Sequence, residues 1–266
     1  MPLAFVNPAD KPLSQLRILV TNDDGIHADG LKILEKIAKS LSKDVWIVAP
    51  ETEQSGAGHS LTLHRPFRAR KISAKKYAVS GTPTDCALFA ARYIIPKKKP
   101  IDLILSGVNR GGNLAEDVTY SGTIAAAMEG TLLDIPSIAM SQCYLGDRVH
   151  WTTALEHAPA VIRTLVKTGW PAGTLININF PPIVSTEVKG VRAASHGCRK
   201  IGEKLIERTD PKGRPYFWIG ADRELDEAQK DNDIAHIREG YITVTPIQMD
   251  MTDYKSLKVL EKALEK

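Results

Sequence analysis

Two adjacent carboxylates, Asp23 and Asp24, stand in Asn22-Asp23-Asp24-Gly25, directly after the apolar run Arg17–Thr21. Side by side they repel each other unless a cation or a shared proton relieves them. A hard divalent ion is the simple relief, and carboxylate, amide and hydroxyl oxygens suit magnesium or manganese better than zinc. Two further segments carry such oxygens: Gln54-Ser55-Gly56-Ala57-Gly58-His59-Ser60 after the run Val45–Ala49, and Ser106-Gly107-Val108-Asn109-Arg110-Gly111-Gly112-Asn113 after Ile101–Ser106. Their glycines permit close backbone approach to a phosphate, and serve plain turns equally well. Tyr120-Ser121-Gly122-Thr123 opens a helical stretch, so Ser121 suits an N-cap and the free N–H groups behind it suit an anion. Taken alone, the aspartate pair fits a turn or a cap as well as a metal. If the three strands are neighbours, their loops converge and the balance moves toward a site, because ligands of open parallel sheets bind outside the carboxyl ends of the strands.

The elements needed to hold these loops are legible. Arg17–Thr21, Val45–Ala49, Ile101–Ser106, Ile135–Met140 and Thr174–Phe180 are short apolar runs of the kind buried on both faces of a parallel sheet. Between them Leu31, Leu34, Ile37, Ala38 and Leu41 recur at helical spacing. Gly81-Thr82-Pro83-Thr84-Asp85 has the chemistry to start a helix reaching Tyr93, and 122–133 and 152–167 also read as helices. Strand and helix in alternation predict an α/β fold, a doubly wound, Rossmann-like, mostly parallel sheet. The stretch 107–122 reads as a second Gly-rich loop. Beyond about 185 the character changes. Val191–Ser195, Lys204–Arg208, Tyr216–Gly220 and Tyr241–Ile247 read as strands of a C-terminal antiparallel β extension with a hairpin turned at Asp210-Pro-Lys-Gly213, and the charged stretch 222–239 as a loop or short helix. The expected division is a flexible arm over 1–16, a core over 17–185, a β-rich extension over 186–254 with one strand returning to the core, and a terminal helix over 255–266.

Composition narrows the function classes. With 43% apolar and 25% charged residues, the 266-residue chain can build a sizeable core. The excess of basic over acidic residues, 35 − 31 = +4, is too small for a dedicated nucleic-acid binder, and no basic stripe interleaved with aromatics supports a stable nucleic-acid partner. Cys86, Cys143 and Cys198 are scattered, which fits neither a zinc ribbon nor a disulfide framework and points to a reducing compartment. No run is long enough for a membrane span and the first residues lack a signal-peptide pattern, so a cytoplasmic location is expected. There is no GxGxxG after the first strand, no GxxxxGK[ST], no HExxH and no GxSxG, which removes dinucleotide dehydrogenases, P-loop enzymes, zincins and acyl-serine hydrolases. His59 is the one histidine near the supposed site, and an ordinary surface or packing role is expected for it.

The blocks ILVTNDDGIHADGL, VAPETEQSGAGHSLTL, VSGTPTDC, LILSGVNRGGNL, DVTYSGTIAAAMEG and GYITVTPIQMDMTDY, in this order, resemble the stationary-phase survival protein SurE family of metal-dependent nucleoside monophosphate phosphatases. The resemblance runs from about Arg17 to Tyr254. It implies that Asp23, Asp24, Ser55 and Asn109 hold a divalent metal, Mg2+ or Mn2+, and that Asn113 and the Ser121-Gly122-Thr123 turn surround the phosphate. Thr21 and Gly112 differ from the residues most frequent there in the family and leave these positions intact.

The expected activity is therefore that of a 5′-nucleotidase, a phosphoric monoester hydrolase acting on nucleoside 5′- and 3′-monophosphates, with short polyphosphate as a further substrate. Asp23 and Asp24 would do the chemistry, Asp23 as the base. Two rivals stay open: a phosphoaspartyl phosphatase, disfavoured because DDG is not the DxDx pattern, and a non-catalytic nucleotide- or RNA-binding module. The resemblance also implies a homodimer or homotetramer, with exchange of the C-terminal hairpin burying Tyr216, Phe217 and Trp218.

Overall fold

The computed structural model describes residues 5–6, 11–198, 205–220 and 230–265. Residues 1–4 and 7–10 of the arm, Lys204, residues 222–229 of the charged stretch and Lys266 lie outside the described residues.

In chain order the elements are β1 (Phe5–Val6), β2 (Arg17–Thr21), α1 (Asp29–Leu41), β3 (Asp44–Pro50), β4 (Ala69–Ser73), β5 (Lys76–Val79), α2 (Pro83–Phe89), β6 (Leu103–Arg110), α3 (Gly122–Leu132) and β7 (Ser137–Gln142). They continue with α4 (Trp151–Thr168), β8 (Trp170–Pro171), β9 (Thr174–Phe180), β10 (Val191–Ala193), β11 (Leu205–Thr209), β12 (Pro215–Ile219), α5 (Asp233–Arg238), β13 (Ile242–Gln248) and α6 (Tyr254–Leu264).

Nine strands form one sheet in the order β10-β13-β9-β7-β6-β2-β3-β5-β4. The run from β9 to β5 is parallel, while β13 lies antiparallel to β9 and β4 antiparallel to β5. The chain winds outward from β2 through β3 on one side and through β6 on the other, so β2 and β6 flank the point where strand order reverses. Thr21 pairs with Ser106 there, which sets the ends of the two strands level.

Alternation of side chains places β2 at the centre of two cores. Ile18 and Val20 pack with Leu31, Leu34 and Ile37 of α1 and with Ala154, Val161 and Ile162 of α4. Leu19 turns to the other face, with Val48, Ile104, Cys86 and Ala90. Further along that face, Ile124 and Ala127 of α3 meet Ala139 and Leu175. Each such fully buried Ile or Leu stabilises the fold by about 1.5–3 kcal/mol. Helix α2 starts on a capping box, in which Thr82 and Asp85 satisfy each other's backbone N–H, with Pro83 in the first turn.

The structure departs from sequence expectation in three places. Gly107–Arg110 continue β6 instead of opening a loop, because their backbone is paired with Ser141 and Gln142 of β7 past an irregularity between Ser106 and Asn109. Strands β10 and β13 pair parallel to one another at the edge of the central sheet, so of the described strands beyond 185 β11 and β12 alone stand apart from it, as an antiparallel hairpin. Strands β4 and β5, a hairpin at the opposite sheet edge, were not expected. Among the described residues no helix is long and apolar enough to cross a membrane.

Candidate active site

Strands β3, β2 and β6 are adjacent, so the three oxygen-rich segments leave the sheet side by side. Two backbone bonds tie them together. The Gln54 N–H donates to the Asp23 carbonyl (2.8 Å), which brings Ser55 beside the aspartates. The Arg110 N–H donates to Asp24 Oδ2 (3.1 Å), which brings Asn109 to the other flank. Ser55 Oγ donates to Glu53 Oε1 (2.8 Å), and Asn109 donates through its amide nitrogen to the Gly111 carbonyl (2.9 Å). Neither bond uses the lone pairs a cation needs: a hydroxyl oxygen in one case, an amide oxygen in the other.

Asp23 is the buried member of the pair, at 4% exposure, and accepts a hydrogen bond from the Thr123 hydroxyl. Burial, and then the neighbouring Asp24 charge, push its carboxyl up to about 6, with the Thr123 bond opposing. Asp24 is half-buried and is also raised, by burial first; the Arg110 N–H pulls the other way, the Glu53 charge adds to the rise, and the Arg110 charge opposes it. Among the described residues no cationic side chain hydrogen-bonds either aspartate. The Arg110 guanidinium instead lies over the Tyr144 ring, 5.3 Å from its centroid. The donor set is all oxygen, two carboxylates with an amide and a hydroxyl, and its charge is offset only by Arg110 acting on Asp24. It fits a hard divalent cation. Among the described residues there is no group of three or more His, Cys, Asp and Glu that could hold a metal ion, so any ion here would rest on the amide and hydroxyl oxygens as well.

Helix α3 closes the site from behind. Ser121 is its N-cap, with Oγ accepting from the Ile124 N–H (3.1 Å). Gly122 has to be glycine: a Cβ there would stand 2.7 Å from Asp23 Cβ. The helix terminus therefore presses directly on the carboxylate, and its dipole favours negative charge at that spot.

Asn113 is buried and strongly fixed. Its N–H donates to Asn179 Oδ1 (2.8 Å), its amide to Ser141 Oγ (2.7 Å), and its carbonyl accepts from Asn177 (2.8 Å) and Asn179 (3.0 Å). Sequence reasoning missed Ser141, Asn177 and Asn179. The signal was present: asparagines two apart in an otherwise apolar strand share one face, and there is no packing reason for them in a core. The structure thus gathers Asp23, Asp24, Ser55 and Asn109 at one edge, with Ser121, Gly122 and Thr123 against Asp23 and Asn113 locked to β7 and β9. His59 Nε2 lies 3.1 Å from Oε2 of the buried Glu129 on α3, a side-chain hydrogen bond.

Comparison with known proteins agrees with this architecture. A family model described as "Survival protein SurE" matches residues 18–203. A protein of Paramagnetospirillum magneticum named 5′-nucleotidase SurE is 55% identical over 251 residues, covering 94% of this chain and 96% of its own length. One of the same name from Parvibaculum lavamentivorans is 53% identical over 253 residues, covering 94% and 91%. The crystal structure of the SurE protein from Aquifex aeolicus superposes with a TM-score of 0.82 at 39% identity, covering 94% of this chain and all of that one. With this site at the switch point of its sheet and these relatives along nearly its whole length, the chain belongs to the SurE family.

Proposed function

We propose that this protein hydrolyses nucleoside 5′- and 3′-monophosphates to nucleoside and phosphate, with Mg2+ or Mn2+ held by Asp23, Asp24, Ser55 and Asn109. Its relatives are named 5′-nucleotidases, which makes the chain a phosphomonoester hydrolase. The observation that carries the finer reading is the adjacent pair of buried Asp23 and half-buried Asp24, with Asp23 against the N-terminus of α3 and no cationic side chain hydrogen-bonded to either among the described residues. One ligand surface attracts a cation and the other an anion, and a metal with a phosphate satisfies both.

Lewis-acid polarisation of a phosphoryl oxygen is what the cation supplies when bound. The chain does the rest. Asp23, with a carboxyl raised toward neutrality, is suited to take a proton from the attacking water while Thr123 holds its other oxygen in place. The N–H groups at Gly122 and Thr123 and the second amide hydrogen of Asn113 donate to the equatorial phosphoryl oxygens. Fixing Asn113 through Ser141, Asn177 and Asn179 removes the reorganisation that such a donor would otherwise undergo.

A homo-oligomer is part of the same reading. The hairpin β11–β12 exposes Leu205, Phe217, Trp218 and Ile219, and α6 exposes Val259, Leu260 and Leu264, apolar side chains of the kind an interface covers. Hairpin exchange in a dimer or tetramer would cover it. A monomer by light scattering with full activity would remove that part.

The test is phosphate release from AMP with defined metals. The wild type should require Mg2+ or Mn2+, and Asp23→Asn should abolish release. A binding module would release none in the wild type, and trapping of a labelled aspartyl phosphate during turnover would replace the water mechanism with a covalent one.

A further inference from the structure

The segment from Gly111 to Tyr120 carries Asn113 from the end of β6 to the cap of α3, and part of what fixes it comes from far along the chain. Ala115 holds φ +49°, in the left-handed region that few non-glycine residues enter, so its surroundings have to impose that conformation. Leu114 and Ala115 pack with Cys143 and with Ile234 and Ile237 of α5 in a small apolar cluster apart from the main core. The Ala115 N–H donates to Asp233 Oδ2 (2.9 Å), a bond between residues 118 positions apart. Asp233 is fully buried and its carboxylate is fully used. Oδ2 also lies 3.0 Å from His196 Nδ1, and Oδ1 accepts from the N–H groups of Gly197 (2.8 Å) and Ile234 (2.8 Å). Burial pushes this carboxyl up, but the bonds from His196, Ala115 and Gly197 outweigh it and hold the group below its usual range. The carboxylate is not needed to cap α5, because the neighbouring Asn232 already does so, accepting from the Ala235 N–H (2.9 Å).

We infer that Asp233 is a positioning residue for phosphate binding: by fixing Ala115 it sets the direction of the Asn113 amide, and so makes α5 a support of the phosphate-binding segment. The inference rests on the phosphatase reading above, in which that amide donates to a phosphoryl oxygen. Asn177 and Asn179 hold the Asn113 main chain from β9. That single hold leaves the segment free to turn about it, and a second one two residues on removes the freedom. A carboxylate suits the task because both of its oxygens must accept; an amide in its place would turn an NH2 group against N–H donors. The side-chain bonds of Asp233 run to Ala115, His196, Gly197 and Ile234 and to none of Asp23, Asp24, Ser55 and Asn109, so the metal side is independent of them. The link is reciprocal: a phosphate that orders the segment also orders α5.

The experiment uses the full chain with Asp233→Asn, Asn113→Ala and the double variant, each checked for folding by thermal melting. Inorganic phosphate with Mn2+ is the probe, titrated by calorimetry. Asp233→Asn should weaken phosphate binding about tenfold and raise KM for AMP by a similar factor. The rise in melting temperature brought by Mn2+ should stay as in the wild type. In the Asn113→Ala background the same substitution should weaken phosphate binding by less than about twofold, because the group it acts through is gone. Losses that multiply in the double variant, or a melting response to Mn2+ that falls together with phosphate affinity, would overturn the inference and leave Asp233 an acid that only holds the fold. If Asp233→Asn does not fold, amide exchange in the wild type decides. Phosphate with Mn2+ should slow exchange in residues 111–121 and 232–238 together, and protection confined to 111–121 would overturn the link. A wild type that releases no phosphate from AMP would remove the phosphatase reading, whereas one that does so with Asp233→Asn unaffected would remove this inference alone.

Discussion

At the amino end of the sheet Asp44 accepts hydrogen bonds from Arg17 Nε (2.9 Å), Lys75 Nζ (2.7 Å) and Lys99 Nζ (2.7 Å), while at the carboxyl end Asp23 has a hydroxyl and a second carboxylate as neighbours. Both acids are largely buried and adjoin strands of the same sheet. Burial alone would raise the Asp44 carboxyl, but the bonds from Lys75, Lys99 and Arg17 outweigh it and hold that group far below the usual carboxylate range. Asp102 beside it is matched as well, by Lys11 (2.9 Å) and the Arg17 N–H (2.7 Å). The chain thus supplies cations from several segments to carboxylates that only hold the fold together, and supplies none to hydrogen-bond Asp23 or Asp24 among the described residues. Arg110 acts on Asp24 through its charge without a side-chain hydrogen bond, so the pair is left far less matched than Asp44.

The sharpest way to break this contrast is to neutralise each end in turn. Asp23→Asn should lower kcat for AMP by about 10³-fold or more, within the range that loss of a base and of metal activation produces. Its melting temperature in EDTA should be at or above that of the wild type, because a repelled, buried carboxylate has been removed. A mutant that instead melts well below wild type in EDTA would show that Asp23 holds the fold as Asp44 does.

Metal addition separates the two ends without mutation. A ligand that binds only the folded state stabilises it by RT ln(1 + [L]/Kd), about 2.7 kcal/mol at a hundredfold excess over Kd. Mn2+ or Mg2+ should therefore raise the melting temperature of the wild type and of Asp44→Asn alike, and leave Asp23→Asn nearly unmoved. Equal shifts in all three proteins would place the ion elsewhere.

Asp44→Asn should destabilise the fold by about 1–3 kcal/mol near neutral pH, since three charge-assisted bonds lose their acceptor. The sign follows from the lowered carboxyl. Its stabilisation is complete above the unfolded-state value of about 3.9 and is lost as pH falls toward the depressed folded-state value. The difference between wild type and mutant should be flat from pH 7 to about 5 and shrink below about 4, with AMP turnover per folded molecule unchanged. A gap that persists undiminished in acid would mean the loss comes from packing and not from charge.

Both ends are visible in the sequence to different degrees. The central strands and the helices were legible because continuous apolar runs and helical spacing follow directly from two-sided burial. The hairpin β4–β5 was not: β4 is exposed and charged, and only its pairing partner makes it a strand. Gly107–Arg110 read as loop because Gly107, Asn109 and Arg110 have no apolar pattern, although the backbone there is still paired with β7. The aspartate pair was legible as repelled charge next to a buried strand. The Asp44 cluster was not, since Arg17, Lys75 and Lys99 come from distant segments and no motif unites them. The bond from Ala115 to Asp233 is hidden for the same reason.

The smallest effect settles a choice that spacing left open, between Ser55 and Ser60 in the same loop. Both side chains are exposed, but Ser55 follows the residue whose N–H is bonded to the Asp23 carbonyl, whereas the Ser60 carbonyl is taken by the Thr82 hydroxyl at the cap of α2 (2.8 Å). A hydroxyl is a weak ligand beside two carboxylates, so Ser55→Ala should weaken the apparent metal affinity by only about tenfold, about 1.4 kcal/mol, with kcat at saturating metal within a few-fold of wild type. Ser60→Ala should change neither. Titrating activity against Mn2+ in the two variants distinguishes them, and the opposite ranking would move the hydroxyl ligand to Ser60 and detach Ser55 from the aspartates.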